Sequence, residues 1–162
     1  MPDTAFSVIS PQKRVSAVVF ASPHSGADYG DSFLKQSILG PQTIRSSEDA
    51  FVDQLFASAP EFGAPLLKAV KPRAYLDLNR SIDELDPALI EGVKMRGQNP
   101  RVASGLGVIP RVVANGRAIY RGKLPLSEAE RRIRCYWQPY HHALKGLLDQ
   151  AHDQFGQAIL VD

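Results

Sequence analysis

The segment Val15-Ser16-Ala17-Val18-Val19-Phe20-Ala21-Ser22 constrains the fold more than any other part of the chain. It is β-branched and apolar nearly throughout, which fits a strand buried on both faces of a mostly parallel sheet; a half-exposed strand alternates polar and apolar residues instead. The run stops at Pro23-His24-Ser25-Gly26. Similar runs predict strands over residues 66–70 and 74–78, separated by Pro72, and a last strand over 158–161. Ser46-Ser47-Glu48-Asp49, followed by Phe51, Val52, Leu55, Phe56 and Ala59 at helical spacing, predicts a helix that stops near Gly63 or Pro65. Ser127-Glu128-Ala129-Glu130 reads as a capping box opening a long helical stretch, which Pro139 kinks or splits. Tyr140, Leu144, Leu147, Leu148, Ala151 and Phe155 form its apolar stripe, and Gly156 suits its end. From Asp83 to Pro125, Gly and Pro recur too closely for long elements, and Asn115-Gly116 predicts a small hairpin between 109–113 and 118–120. Strands alternating with helices give an α/β fold with a mixed, largely parallel sheet flanked by helices.

Length and composition fit one domain. The chain has 162 residues, 44% of them hydrophobic and 22% charged, enough for one buried core without repeats or a low-complexity linker. The longest apolar run, residues 17–21, is far short of the roughly 20 residues of a membrane-spanning helix. Asp3 stands where a secretory signal carries Lys or Arg, so a cytoplasmic location is expected. The formal charge is +2 with the basic residues scattered, which argues against a nucleic-acid partner. The densest cluster, Arg131-Arg132-Ile133-Arg134, sits beside Glu128 and Glu130 and reads as a solvated helix face. A single cysteine, Cys135, excludes an internal disulfide and a CxxC metal knuckle, so any metal is held by His, Asp or Glu.

In open α/β sheets ligands bind beyond the carboxyl ends of the strands, which directs attention to His24, Asn79-Arg80 and Asp162. His24 follows a strand directly and, with a carboxylate, offers two of the three protein ligands of a catalytic zinc site. Asp49 and Glu48 both qualify as that carboxylate, and both are equally explained as first-turn acids facing a helix dipole. Asn79-Arg80 combines an amide and a guanidinium suited to gripping a small-molecule carboxylate, although Arg80 has Asp83 and Asp86 within reach for a plain salt bridge. His141, His142 and His152 lie on the long helix without an HExxH arrangement and read as surface or packing residues. Gly105-Leu106-Gly107 lacks the third glycine of a dinucleotide loop and is set aside.

Taken in order, Pro23-His24-Ser25-Gly26, Ser47-Glu48-Asp49-Ala50-Phe51-Val52-Asp53-Gln54-Leu55-Phe56, Tyr75-Leu76-Asp77-Leu78-Asn79-Arg80, Tyr120-Arg121-Gly122 and Trp137-Gln138-Pro139-Tyr140-His141 resemble the N-formylglutamate amidohydrolase family. The resemblance runs through nearly the whole chain. It implies a zinc-peptidase-like α/β fold related to metallocarboxypeptidases, and hydrolysis of N-formyl-L-glutamate to formate and glutamate in histidine degradation. On this chain it implies His24 and Asp49 as zinc ligands, Asn79 and Arg80 as binders of the substrate carboxylate, and Arg121 as the group that polarises the amide carbonyl. The family's third zinc ligand is a histidine in an Asp-x-His-Ser motif, and the sequence stops on Asp162. The expectation is therefore a single domain over residues 1–162, truncated at its C-terminus, that binds zinc weakly and turns over little unless extended. A non-catalytic α/β module that binds an anionic metabolite through Asn79-Arg80 is the alternative.

Overall fold

The computed structural model describes residues 4–94 and 97–162, so Met1–Asp3 of the N-terminal segment lies outside the described residues. In chain order they form β1 (Phe6–Ile9), β2 (Val18–Ser22), α1 (Asp31–Gln36), α2 (Pro41–Ile44), α3 (Val52–Leu55) and β3 (Leu66–Ala69). There follow α4 (Pro100–Ala103), β4 (Val112–Val113), β5 (Arg117–Ala118), α5 (Leu126–Arg132), α6 (Gln138–Phe155) and β6 (Ile159–Val161). The main sheet has the order β1-β3-β2-β6, with β3, β2 and β6 parallel and β1 antiparallel at the edge. The mixed, largely parallel sheet expected of this sequence is thus present. β2 lies inside it, and Val19, Ala21 and Ser22 are buried. Among the described residues no helix is long and apolar enough to cross a membrane.

Three local expectations are corrected. Residues 74–78 are buried but form turns: the Tyr75 and Leu76 amides both donate to Pro72 O, and Asp77 N donates to Val108 O at 2.8 Å. Burial alone produced the strand-like pattern; after the turn at Pro72 the segment packs against the 108 loop instead of joining the ladder. The helix expected from Ser46 is reduced to α3, because Arg45–Ser47 is a 3₁₀ turn, Glu48 is extended and Phe51 takes a φ of +68°. The amide of Asp49 donates to His24 O at 3.1 Å, which holds this stretch out of helical geometry, and Phe51 and Leu55 are left exposed. Ser127 is no cap: α5 starts at Leu126 with Pro125 at the N-cap and no capping side chain.

Other expectations hold. The hairpin is formed, with shorter strands than its apolar flanks suggest, and Asn115 and Gly116 take φ of +62° and +69°. Gly156 ends α6 in the left-handed conformation. Pro139 splits the long helical stretch through a π-turn at Ile133–Trp137, which accommodates the residue that has no amide to donate. Tyr140 and Ala151 of the α6 stripe are buried.

Within the basic cluster Arg134 is exposed and Arg131 pairs with Glu128 at the surface, but Arg132 is no part of a solvated face. Arg132 is 0% exposed. Its guanidinium donates to Glu128 Oε1 at 2.7 Å, Tyr75 O at 3.0 Å, Tyr120 Oη at 2.7 Å and Gln36 Oε1 at 3.0 Å. It also lies 4.0 Å from the centroid of the Tyr75 ring. A charge this deep is tolerated only when paired and hydrogen-bonded, and here the aromatic core of Phe33, Tyr75, Tyr120 and Tyr136 closes around it.

Candidate active site

β2 delivers His24 at its carboxyl end, and Gly26 fixes where the following loop runs. A Cβ at Gly26 would lie 2.2 Å from Lys71 O, so only glycine lets the loop press against the chain leaving β3. His24, 6% exposed, is held there between two carboxylates. Its Nε2 is 2.8 Å from Asp77 Oδ1 and its Nδ1 is 3.3 Å from Asp49 Oδ2.

Asp77 is the buried anchor of this arrangement. Burial pushes its carboxyl pKa up, but the bond and charge of His24, the charge of Arg73 and the Asn79 amide together hold it below the usual carboxylate range. An ionised Asp77 is acceptor-only, so Nε2 of His24 carries the proton and donates it. In a neutral imidazole, Nδ1 then turns its lone pair toward Asp49, a repulsive contact that a second proton or a cation between the two atoms relieves.

Arg73 Nε donates to Asp77 Oδ2 at 3.0 Å, and its guanidinium reaches within 3.9 Å of Asp49. Arg80 Nε stands 3.8 Å from Asp77 and 3.9 Å from Glu84, buried and without a hydrogen-bond partner among the described residues. The salt-bridge alternative for Arg80 is thus met by Asp77 and Glu84 rather than by Asp86, which pairs with Arg111 at 2.8 Å. These groups floor a cleft of about 470 Å³ whose opposite wall is Ser104, Leu106 and the β4–β5 hairpin.

The two candidate carboxylates are separated by their surroundings. Asp49 is half-exposed and faces His24, whereas the Glu48 side chain is buried and accepts from Tyr29 Oη and Arg45; burial above all, with the bond and charge of Glu48, pushes the Tyr29 phenol well above its ordinary pKa. Asn79 stands on the far side of Arg80, where its amide donates to Asp162 Oδ2 at 2.9 Å in a neighbouring groove. Arg121 is exposed and lines no part of the cleft, because the neighbouring Tyr120 is turned inward to Arg132 and bridged to Ser37. His142 and His152 are exposed, and His141 is 2.9 Å from Leu78 O. Among the described residues no group of three or more His, Cys, Asp or Glu side chains is placed to hold a metal ion.

Arg73 and Asp77 are the site residues that motif reading passes over. The signal for Asp77 is an acid between Leu76 and Leu78 in a run that is otherwise buried; such an acid needs partners.

Residues 16–162 match the N-formylglutamate amidohydrolase family. The chain belongs to that family. It is 27% identical over 147 residues to an N-formylglutamate deformylase of Pseudomonas putida, and 30% identical over 158 residues to one of Pseudomonas aeruginosa. These alignments cover 90% and 96% of this chain but 50% and 54% of the relatives, so the chain spans about half the length of the curated relatives it matches. The crystal structure of an N-formylglutamate amidohydrolase from Ralstonia eutropha JMP134 superposes with a TM-score of 0.88 at 35% identity, covering 96% of this chain and 56% of that one. Gene product Atu2144 of Agrobacterium tumefaciens, at a TM-score of 0.68 and 15% identity, shares the fold.

Proposed function

We propose that this chain carries the zinc-binding and carboxylate-binding side of an N-formylglutamate hydrolase, in which water adds to the formyl carbon, the C–N bond breaks, and formate and glutamate leave. The single observation that supports it most is buried His24 held between Asp49 and Asp77, two carboxylates that line a cleft together with Arg73 and Arg80. The donor set fits zinc in chemistry and spacing. Two ligands on one tetrahedral zinc with bonds of about 2.0–2.1 Å stand roughly 3.3 Å apart, and Nδ1 of His24 and Oδ2 of Asp49 are 3.3 Å apart.

His24 and Asp49 would hold the ion, which when bound supplies a water nucleophilic near neutral pH and polarises the amide oxygen. Asp77 fixes the His24 ring by accepting the Nε2 proton, as partner carboxylates of metal-bound histidines do. Arg80, which lines both the cleft and the neighbouring groove, takes a substrate carboxylate through its guanidinium, assisted by Asn79 on the groove side. Arg73, close to both carboxylates, stabilises the charge that develops on the formyl oxygen, the role the resemblance gives to Arg121, which is exposed and not among the residues lining the cleft. A non-catalytic module is disfavoured by the family membership, since the relatives carry the names deformylase and amidohydrolase.

The experiment is formate release from N-formyl-L-glutamate, using this sequence extended to the length of its relatives, with H24A and R80A beside it. H24A is expected to abolish turnover, and R80A to raise KM with a smaller effect on kcat. Unchanged KM in R80A would remove Arg80 from substrate binding, and full activity of H24A would refute the metal reading.

A further inference from the structure

Asn79 and Arg80 project from a turn, and a turn alone does not hold a binding dipeptide to the tolerance that recognition requires. Two aromatic side chains of the long helical stretch meet this one. Trp137 Nε1 donates to Arg80 O at 2.9 Å, and His141 Nε2 is 2.9 Å from Leu78 O. A carbonyl only accepts, so Nε2 of His141 carries its proton. The two carbonyls bracket the Asn79-Arg80 dipeptide.

The clamp is itself preorganised. The Trp137 and His141 rings lie with centroids 3.9 Å apart, so neither swings without the other. They stand one helical turn apart across Pro139, and the π-turn at Ile133–Trp137 ends on the tryptophan. Such π-turns, here accommodating Pro139, are rare in helices and frequent at functional sites. Trp137, His141, Asn79 and Arg80 line one groove of about 630 Å³, together with Tyr140, whose buried hydroxyl has no hydrogen-bond partner among the described residues.

We infer that Trp137 and His141 are positioning residues, which aim the Asn79 and Arg80 side chains at a substrate carboxylate by fixing the carbonyls on either side of them. The inference rests on the carboxylate role proposed for Arg80. Its structural alternative is a fastener that ties helix to turn with no bearing on the ligand.

The test uses glutarate, a dicarboxylate without a formyl group, titrated by NMR into this chain and its W137F, H141F, H141Q and R80A variants, with melting temperatures recorded alongside. Phe keeps each ring and removes the donor, and Gln restores a donor near the Nε2 position. H141F and W137F are each expected to weaken binding roughly 3- to 10-fold, the worth of one net hydrogen bond, while H141Q stays within about twofold of wild type. If both Phe variants bind glutarate as wild type does, whatever their melting temperatures, the residues are fasteners and the inference falls. If R80A binds as tightly as wild type, or wild type does not bind, the carboxylate reading fails instead. The clamp is then decided on ligand-free protein by the Asn79 side-chain amide and Arg80 Nε–H signals. Shifts in both Phe variants that revert in H141Q uphold it, and unmoved signals overturn it.

Discussion

His24 illustrates how much of a site one residue's surroundings decide. The motif Pro23-His24-Ser25-Gly26 was readable because a histidine directly after a buried strand is aimed at the ligand-binding end of the sheet. Its partner Asp77 was not, because a three-residue pattern of Leu, Asp, Leu looks like strand until the acid's hydrogen bonds are seen. Arg132 was misread for the converse reason: charge count favours solvent, yet its i,i+4 neighbour Tyr136 and the buried Ala129 and Tyr140 put it on the inward stripe. Asp77 gives the prediction at this scale. Asp77→Asn keeps the volume but lets the amide present the wrong group to His24 Nε2, so the ring loses its fixed tautomer. Zinc affinity of the chain is expected to fall 10- to 100-fold, the usual consequence of removing the carboxylate behind a metal-bound histidine. Calorimetric titration checks it, and an unchanged affinity would mean that Asp77 serves only the fold.

Elements were legible in proportion to how much their pattern reflects regular hydrogen bonding. β2, β6, the hairpin at Asn115-Gly116 and the stop at Gly156 follow from apolar runs and from residues that accept positive φ. The helix expected after Ser46 failed because the Asp49 amide is drawn to His24 O, a long-range bond that no local spacing announces. The loop after β2 depends on contact of the same long-range kind. Gly26→Ala places a methyl 2.2 Å from Lys71 O, and backbone cannot yield as a side-chain tip does. A loss of about 1–3 kcal/mol in denaturant unfolding is expected, with weaker zinc binding as His24 is displaced. α5 carries a pH signature. Burial raises the Glu128 carboxyl pKa, but its bonds to Arg131 and Arg132 outweigh that and leave it below the ordinary value of 4.5. A depressed folded-state pKa makes the unfolded chain bind more protons through this range, so stability rises with pH there. The contribution is complete above about pH 4.5 and is lost as pH falls through the lowered value. Unfolding midpoints followed by circular dichroism from neutral pH down to pH 3 should fall more steeply for the wild type than for Glu128→Gln.

At the scale of the molecule, the parallel trio β3-β2-β6 sets His24 and Asp162 at the same end of the sheet, with Val161 opposite Phe20 in register, and the turn bearing Asp77 and Arg80 supplies the floor between cleft and groove. The architecture was readable because strand and helix patterns alternate; the opposite wall was not, because the 83–125 excursion is positioned by bonds such as Val108 N to Glu84 O and Asp77 N to Val108 O, which join segments far apart in sequence. What this assembly offers a metal is two donors facing each other, in a chain that spans about half the length of its curated relatives. Two protein ligands leave zinc short of the three that hold it in catalytic sites. Calorimetry on the 162-residue chain is therefore expected to give a dissociation constant in the micromolar range or weaker, abolished by His24→Ala. Nanomolar, His24-dependent binding by the chain alone would mean that a third donor comes from elsewhere in it or from a second copy, which sedimentation with and without zinc would separate. Binding that persists in His24→Ala would place the metal away from this cleft and overturn the assignment of His24 and Asp49.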